Sequence, residues 1–297
     1  MGVDLAAAAA FMARHARVLD RRRFEFLLGA TSADAVFAAV DAYRNPDGGY
    51  GWGIEPDLRA PESQPAGALH ALEAFADVAP ATTPHAAQVC DWLDSITLPD
   101  GGLPFALPVA DPAGCAPFWA QADPTVSALQ STAFALAAAL RVAEYDPAVA
   151  AHPWLDRAIG YGIEAVRRLD GSVHAIELCF AVRFLDAAHD RHPEAPALLE
   201  RLGAFIPDDG LVPVAGGSEG EVLRPLDFAP VPGPARRLYR DELIAAELNR
   251  LADAQHDDGG WSVDFASYSP AAELEWRGYQ TVHAVSVLLR NGVISPG

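Results

Sequence analysis

Two stretches of the chain combine carboxylates with arginine at a spacing that could bind a charged substrate group. The first holds Glu55, Asp57 and Arg59, followed by Gln64. A carboxyl group in a dry cavity could donate a proton, and a guanidinium group binds phosphate oxygens directly. Acid and base neighbours also form salt bridges and caps that only hold loops in place, and for Glu55–Arg59 both interpretations remain open.

The second stretch lies near the C-terminus. It begins at Asp264, passes Tyr268 and continues through Glu275, Trp276 and Arg277. We expect Asp264 and Glu275, with Glu55 and Asp57, to be candidate acids, and Tyr268, Trp276, Arg277, Arg59 and Gln64 to be candidate substrate-binding residues. No cofactor is expected, other than Mg²⁺ on these carboxylates where the substrate is a diphosphate.

Aromatic residues are concentrated in the same irregular segments. Because an aromatic face stabilises a carbocation by cation–π attraction, a cavity with several such faces suits carbocation chemistry. Aromatic side chains are also ordinary core material, and that alternative stays open for each of them. We select Trp52, Trp119 and Phe228 as further substrate-binding candidates from a larger set that includes Tyr50, Phe105, Phe118, Phe265 and Tyr279.

The elements that position these residues are repeated helical hairpins. A short Asp- and Gly-containing phrase recurs, and aspartate followed by glycine permits a tight turn. Its copies lie at 45–53, 98–106, 169–175, 207–214 and 256–264. Each copy follows an amphipathic, helix-like run, and the apolar runs that come after these turns lie at 65–76, 125–143, 175–188 and 278–290.

A helix that is apolar on nearly all sides is buried, whereas an amphipathic helix lies at the surface. The alternation therefore predicts outer helix, turn and inner helix, repeated through about ten or eleven helices that could close a ring. No run alternates with period two for more than a few residues, so the predicted class is all-α. We expect one domain over residues 1–297, with 207–236 an inserted loop.

The last repeat carries Gln255, Gly259 and Trp261, which resembles the QW motif of squalene–hopene cyclases and their relatives. The phrases at 45–65 and 269–282 are similar to bacterial prenyltransferase or squalene-oxidase-repeat proteins. The resemblance implies the α/α toroid of terpene cyclases and protein prenyltransferases, which has two concentric helix layers around a central cavity. It also implies an isoprenoid substrate and proton-initiated cyclisation or isomerisation.

In class II terpene cyclases the proton donor is the middle aspartate of a D-x-D-D-T-A motif, which this chain lacks. Alignment on Thr125 implies that Asp123 occupies the donor position, with Gln121 and Pro124 replacing the flanking aspartates. Asp123 is therefore a candidate catalytic residue by resemblance, and Gln121 a candidate substrate-binding residue. The alternative is that Asp123 and Pro124 only begin a helix, as N-cap and first residue.

Two other classes of function remain open. One is a non-catalytic toroid that binds a lipid or a protein partner. The other is zinc-dependent prenyl transfer, since the resemblance to prenyltransferases would make Glu177, Cys179 and His283 a ligand set. A buried cysteine and a single helical histidine are more often plain core residues.

Composition excludes several further classes. The net charge of −19 argues against nucleic acid, which needs clustered basic residues. All 21 basic residues are arginine, so chemistry that needs a lysine amine is excluded. Three cysteines without a close pair favour a reducing, cytoplasmic location. No apolar stretch reaches the length of a membrane span, and we expect no stable membrane insertion. The sequence does not indicate an oligomeric state.

Overall fold

The computed structural model describes residues 2–296, and these residues form fourteen α-helices. The helices are α1 (Leu5–His15), α2 (Val18–Leu27), α3 (Ala33–Asp41), α4 (Pro65–Asp77), α5 (Pro84–Ile96), α6 (Pro117–Ala120), α7 (Leu129–Ala143), α8 (Pro147–Ala150), α9 (Pro153–Arg168), α10 (Ala175–Ala187), α11 (Ala195–Gly203), α12 (Pro225–Phe228), α13 (Asp241–Asp253) and α14 (Pro270–Arg290). Short 3₁₀ turns cover Pro112–Gly114 and Pro234–Leu238.

The predicted all-α class is confirmed. Within residues 2–296 the named strands are β1 (Val212–Pro213) and β2 (Val222–Leu223), which pair antiparallel inside the predicted loop 207–236. Three of the helices, α6, α8 and α12, have four residues each, so eleven longer helices carry the fold. None of the helices in the described part of the chain is long and apolar enough to cross a membrane.

Helix contacts run in two series along the chain. The apolar helices α4, α7 and α10 pack on one another in sequence order. The amphipathic helices α5, α9 and α11 also contact one another in order, and each packs against its apolar neighbour. Helix α4 is buried at every position from Pro65 to Ala76, which explains its nearly continuous apolar sequence.

Two helices begin at residues other than those predicted. Helix α7 begins at Leu129 rather than 125, because the preceding residues pair with the backbone of another loop. The Ala128 amide donates to the Leu103 carbonyl at 2.8 Å, and Ser127 bridges to Pro104. Helix α14 begins at Pro270, where the Ser269 hydroxyl accepts the Ala272 amide. The predicted pre-helix segment 273–277 therefore lies inside α14.

The recurring turns share one hydrogen-bond pattern. In each turn the aspartate Oδ1 accepts the amide two residues later; the aspartates are Asp47, Asp100, Asp170, Asp209 and Asp258. The final turn also needs glycine for space. A Cβ on Gly259 would lie 2.2 Å from the Ala7 carbonyl oxygen, and its φ is 92°. This turn therefore packs directly on α1.

The two ends of the chain are joined by Gln255. Its Oε1 accepts the Asp4 amide at 2.8 Å, and its Nε2 donates to the carbonyls of Asp4 and Gly259. Trp261 Nε1 donates to the Leu251 carbonyl at 2.8 Å, and its amide donates to the Thr281 hydroxyl. Gln255 therefore connects the last hairpin to the beginning of α1, Trp261 connects it to Leu251 and Thr281, and α14 packs on both α1 and α2.

Candidate active site: the cavity between the apolar helices

A cavity of about 960 Å³ lies among α2, α4, α7, α10, α14 and the segment after α12. Its apolar lining includes Phe134, Ala138, Phe228 and Val282. The lining residues exposed to solvent follow or end their helices, which puts the open side at the helix C-termini; they are Glu144, Tyr145, Asp190, Arg191, Pro232 and Arg290. The lining also includes charged side chains such as Arg183 and Asp186, and a cavity of this volume suits a small organic molecule.

A chain of buried hydrogen bonds ends at the cavity wall. His70 Nε2 lies 2.9 Å from Glu55 Oε2, and His70 Nδ1 lies 2.9 Å from Glu73 Oε2. The Tyr279 hydroxyl donates to Glu73 at 3.0 Å, and both Glu73 and Tyr279 line the cavity. Glu55, His70 and Glu73 are 6%, 5% and 6% exposed, so water does not screen them. We call these four residues the buried relay.

The protonation state of His70 follows from its two carboxylate neighbours in the buried relay. Both His70 nitrogens face carboxylate oxygens, and a neutral imidazole could donate to only one of them. Burial alone would lower the pKa of His70, but the bonds from Glu55 and Glu73 raise it to about 9. Burial would raise the pKa of Glu73, and its bond from His70 and nearby positive charges lower it to about 2. At neutral pH the ring is an imidazolium between two carboxylates.

A second ionic group lies beside the relay in the cavity. Arg23 donates to Asp77 through Nη2 at 2.7 Å and Nε at 3.0 Å, and Arg141 reaches the other oxygen of Asp77 at 3.5 Å. The Arg23 guanidinium lies 5.4 Å from the centroid of the Tyr279 ring. Burial and the negative charge of Glu73 raise the pKa of the Tyr279 hydroxyl well above its usual value, so it stays protonated.

Six polar side chains of the cavity lining have no hydrogen-bond or ion-pair partner among residues 2–296. Glu144 and Tyr145 lie at the exposed rim, and the others are Arg183 on α10 and His283, Ser286 and Arg290 on α14. Arg183 lies over the Phe134 ring at 5.4 Å. Burial lowers the pKa of His283 to about 4, and the charge of Arg183 adds to that effect. His283 is therefore neutral near pH 7.

Several residues that were predicted to form one site are in contact with one another, near the N-terminal ends of α4 and α14. Asp57 Oδ2 accepts Trp276 Nε1 at 2.8 Å, and Asp57 Oδ1 accepts the Tyr268 amide at 2.9 Å. Burial raises the pKa of Asp57, although both hydrogen bonds oppose that shift. Both carboxylate oxygens are used, so Asp57 holds these two segments together.

The neighbouring predicted residues are also engaged by protein groups. Arg59 donates to Glu275 at 2.7 Å, Glu55 bonds to His70, and the Gln64 side chain pairs with the backbone of Leu107 through both its oxygen and its nitrogen. A Mg²⁺ ion would have to displace these donors, so the carboxylates do not fit a magnesium site. Within residues 2–296 no group of three or more His, Cys, Asp or Glu side chains could hold a metal.

Asp123 lies on the surface, outside the cavity lining. Its Oδ1 accepts the amide and the hydroxyl of Thr125, which lowers its pKa. A lowered pKa is the opposite of what protonation of an alkene requires. Gln121 is exposed, while Trp119 stacks on Phe105 with ring centroids 4.4 Å apart. No contact in the described residues joins Asp123 to Asp57 or Glu275.

The remaining predicted residues are distributed over other surroundings. Phe228 is the one predicted site residue that lines the cavity. Trp52 is 60% exposed and donates to Asn45, Asp264 is exposed, and Arg277 binds both oxygens of Asp258 at 2.8 Å. Arg277 also lies 4.6 Å from the Phe11 ring centroid, so it connects α14 to α1.

The prenyltransferase-like residues do not form one group in the described structure. Cys179 is buried, and its Sγ donates to the Asp227 carbonyl at 3.3 Å. Burial raises the pKa of this thiol to about 12, so it is not a thiolate at neutral pH. His283 lines the cavity, whereas Cys179 and Glu177 are not among its lining residues.

The sequence indicated Glu55 and Phe228 as site residues and Tyr279 as an aromatic candidate, but it did not indicate His70, Glu73 or the arginines of the cavity as part of one site. A signal for part of it was available in the apolar run 65–76, where His70 and Glu73 are the polar side chains and lie three residues apart. That spacing puts both on one helix face. No local pattern connects them to Arg23, Arg183 or Arg290, which come from three other helices.

The sequence matches no protein-family model, and no curated protein matches it. The function therefore has to be argued from the cavity and the residues that line it.

Proposed function

We propose that the chain is an α/α toroid and that its central cavity takes an isoprenoid or a molecule of similar amphipathic build. The two series of contacts among α4, α7, α10 and α5, α9, α11 support an inner and an outer layer. The Gln255–Asp4 bonds support a closed ring. Phe134 and Phe228 offer aromatic faces to a hydrocarbon chain, and a volume of about 960 Å³ accommodates one.

The chemistry we propose is proton transfer to or from the bound molecule, as in a cyclisation or an isomerisation. One observation carries this proposal: the buried relay ends in Glu73 and Tyr279 at the cavity wall. His70 can supply a proton to the bound molecule through Glu73 and take a proton back by the same route when the product loses one, while Glu55 holds the far side of the ring. A preorganised chain of this kind lowers the cost of moving charge in a dry site.

We assign the proton-transferring role to Glu73 and Tyr279 rather than to Asp123 or Asp57. Asp123 is exposed on the surface, and both oxygens of Asp57 accept N–H groups. Neither residue lines the cavity. A proton donor must lie within hydrogen-bond reach of the reacting atom, and within the described residues Glu73 and Tyr279 meet that condition for a cavity-bound molecule.

The experiment is product analysis with purified protein, prenyl diphosphates and squalene, each with and without Mg²⁺. We expect turnover that falls by roughly 100-fold or more in Glu73→Gln and Tyr279→Phe, since general acid–base groups contribute about that much. Asp123→Asn is the matched control and should retain full activity. Circular dichroism and melting temperature would establish that each variant is folded. Loss of turnover in Asp123→Asn with unchanged Tyr279→Phe activity would contradict the assignment.

A non-catalytic binding function is a second candidate, and one observation favours it. The bond from His70 and the neighbouring charges hold the pKa of Glu73 near 2, so Glu73 is ionised at neutral pH and carries no proton of its own to donate. The His70 imidazolium and the carboxylates of Glu55 and Glu73 would then form a fixed ionic group that only stabilises the fold. In the same experiment, this alternative predicts saturable binding of a prenyl diphosphate or squalene without any product.

A further inference from the structure

The cavity wall contains cationic and polar groups that the fold does not neutralise. Among residues 2–296, Arg183 and Arg290 make no ion pair or hydrogen bond. The buried carboxylates of the same wall are partnered: Asp77 by Arg23, Glu73 by His70 and Tyr279, and Asp186 by the Ala235 amide at 2.6 Å. Glu144, at the exposed rim, also has no such partner, so the unpartnered charged side chains of the lining within residues 2–296 are two arginines and one glutamate.

We propose that Arg183, His283, Ser286 and Arg290 form a binding site for a phosphate or diphosphate group. This deepens the proposed function, on whose use of the cavity it rests, by naming the anionic part of the ligand. The site is separate from the two sequence stretches around Glu55 and Glu275, where Arg59 is already paired with Glu275.

The positions of the α14 residues allow them to act on one ligand. His283, Ser286 and Arg290 are three and four residues apart, which puts them on one helix face. His283 and Arg290 are separated by about 10 Å along the axis. Side chains on a helix point toward its N-terminus, so the long Arg290 side chain leans toward Ser286 and shortens that gap.

Electrostatics around these residues favours an added anion. Burial lowers the pKa of both His283 and Arg290. The positive charge of Arg183 adds to the shift of His283 and that of Arg141 to the shift of Arg290, while Asp77 opposes both shifts. A bound anion would relieve that repulsion and supply the hydrogen-bond acceptors that both guanidinium groups lack.

The donor set suits a phosphate group better than a carboxylate. One guanidinium saturates a carboxylate by a bidentate pair of bonds. Guanidinium groups from α10 and α14, a serine hydroxyl and a neutral imidazole approach from several directions, which matches the several oxygens of a phosphate or diphosphate. Phe134, which stacks under Arg183, and Phe228 would then contact the rest of an esterified ligand.

The test is isothermal titration calorimetry of the full chain with inorganic diphosphate at constant ionic strength. We expect saturable binding that weakens roughly tenfold or more in Arg183→Gln and in Arg290→Gln. Arg167→Gln is the matched control, because Arg167 pairs with Glu164 and Glu194 on the surface and does not line the cavity. It should bind as the wild type does. Arg183→Lys, which keeps the charge, should recover part of the affinity.

A second comparison separates an esterified ligand from the free ion. A prenyl diphosphate should bind more tightly than inorganic diphosphate, and the corresponding prenyl alcohol more weakly than the prenyl diphosphate. Absence of saturable diphosphate binding, or equal weakening in Arg167→Gln, would overturn the site. Turnover of uncharged squalene without diphosphate binding would overturn the anion site and leave the proposed function intact. Diphosphate binding without turnover of any substrate would support the anion site and contradict the proposed proton-transfer function.

Discussion

Tyr279 donates its hydroxyl to Glu73 across the wall of the cavity, at 3.0 Å to Oε1 and 3.1 Å to Oε2. Glu73 lies on α4 and Tyr279 on α14, and the two residues are 206 positions apart in sequence. Glu73 is also bonded to His70, which is bonded to Glu55. The Tyr279 hydroxyl at the cavity wall is therefore connected to a buried imidazolium by a series of hydrogen bonds. That relationship is the basis of the proton-transfer proposal.

The first prediction concerns the dependence of stability on pH. The pKa of His70 is raised from 6.5 to about 9 in the folded protein. A raised pKa contributes stability that is fully present below the unfolded value of 6.5 and is lost as the pH rises through about 9. We expect the wild type to lose up to about 3 kcal/mol of unfolding free energy over this interval.

Urea unfolding at several pH values between 6 and 10 would measure this loss. Glutamine cannot titrate, so in His70→Gln the unfolding free energy should change less with pH over that interval, although the substitution lowers stability overall. His85→Gln is the control, because His85 pairs with Asp41 near the surface. An unchanged slope in His70→Gln would mean that the ring is not an imidazolium between two carboxylates.

The second prediction concerns Asp57. Its two oxygens accept Trp276 Nε1 and the Tyr268 amide, and an asparagine offers one acceptor oxygen and one N–H₂ group in their place. Asp57→Asn therefore leaves a donor unsatisfied and should cost about 1–3 kcal/mol. Thermal unfolding followed by tryptophan fluorescence would measure it.

Asp123→Asn is the matched variant for that experiment. Asp123 is exposed, and its single bonding oxygen is retained by asparagine, so the cost should stay within about 0.5 kcal/mol. Equal destabilisation by the two substitutions would contradict the structural difference between these aspartates.

Elements of the fold that depend on local, periodic composition could be predicted from the sequence, whereas those that depend on pairing with a distant segment could not. The apolar runs 65–76 and 175–188 indicated buried helices because their composition is local and periodic, and α4 and α10 lie there. The beginning of α7 was not predictable in the same way. Thr125–Ala128 is compatible with a helix, but Thr125 and Val126 lie in a turn, and pairing with the loop at Leu103 and Pro104 holds Ser127 and Ala128 extended.

The site was harder to predict for a related reason. The sequence stretches around Asp57 and Trp276 do meet, as their repeated position after the turns suggested. The cavity is instead lined by single polar residues on helices that are apolar along most of their length, such as Arg183 on α10. These residues come together only when helices more than a hundred residues apart in sequence pack on one another. The spacing of residues within one segment cannot indicate such packing.

The third prediction concerns the junction of the chain ends. Gln255 makes two hydrogen bonds with the backbone of Asp4 and one with Gly259. Gln255→Ala should destabilise the protein by about 1–2 kcal/mol and should free α1 in particular. Hydrogen exchange of the α1 amides would report this, with the exposed Gln121→Ala as control. Exchange that changes equally in all helices would show that the junction does not hold α1 separately.

The most direct test of the account is a crystal structure of the protein with a bound prenyl diphosphate. We predict that the ligand occupies the cavity among α4, α7, α10 and α14, with its hydrocarbon chain against Phe134 and Phe228 and a carbon atom within reach of the Tyr279 hydroxyl. A ligand bound elsewhere on the protein, with this cavity empty at saturating concentration, would contradict it.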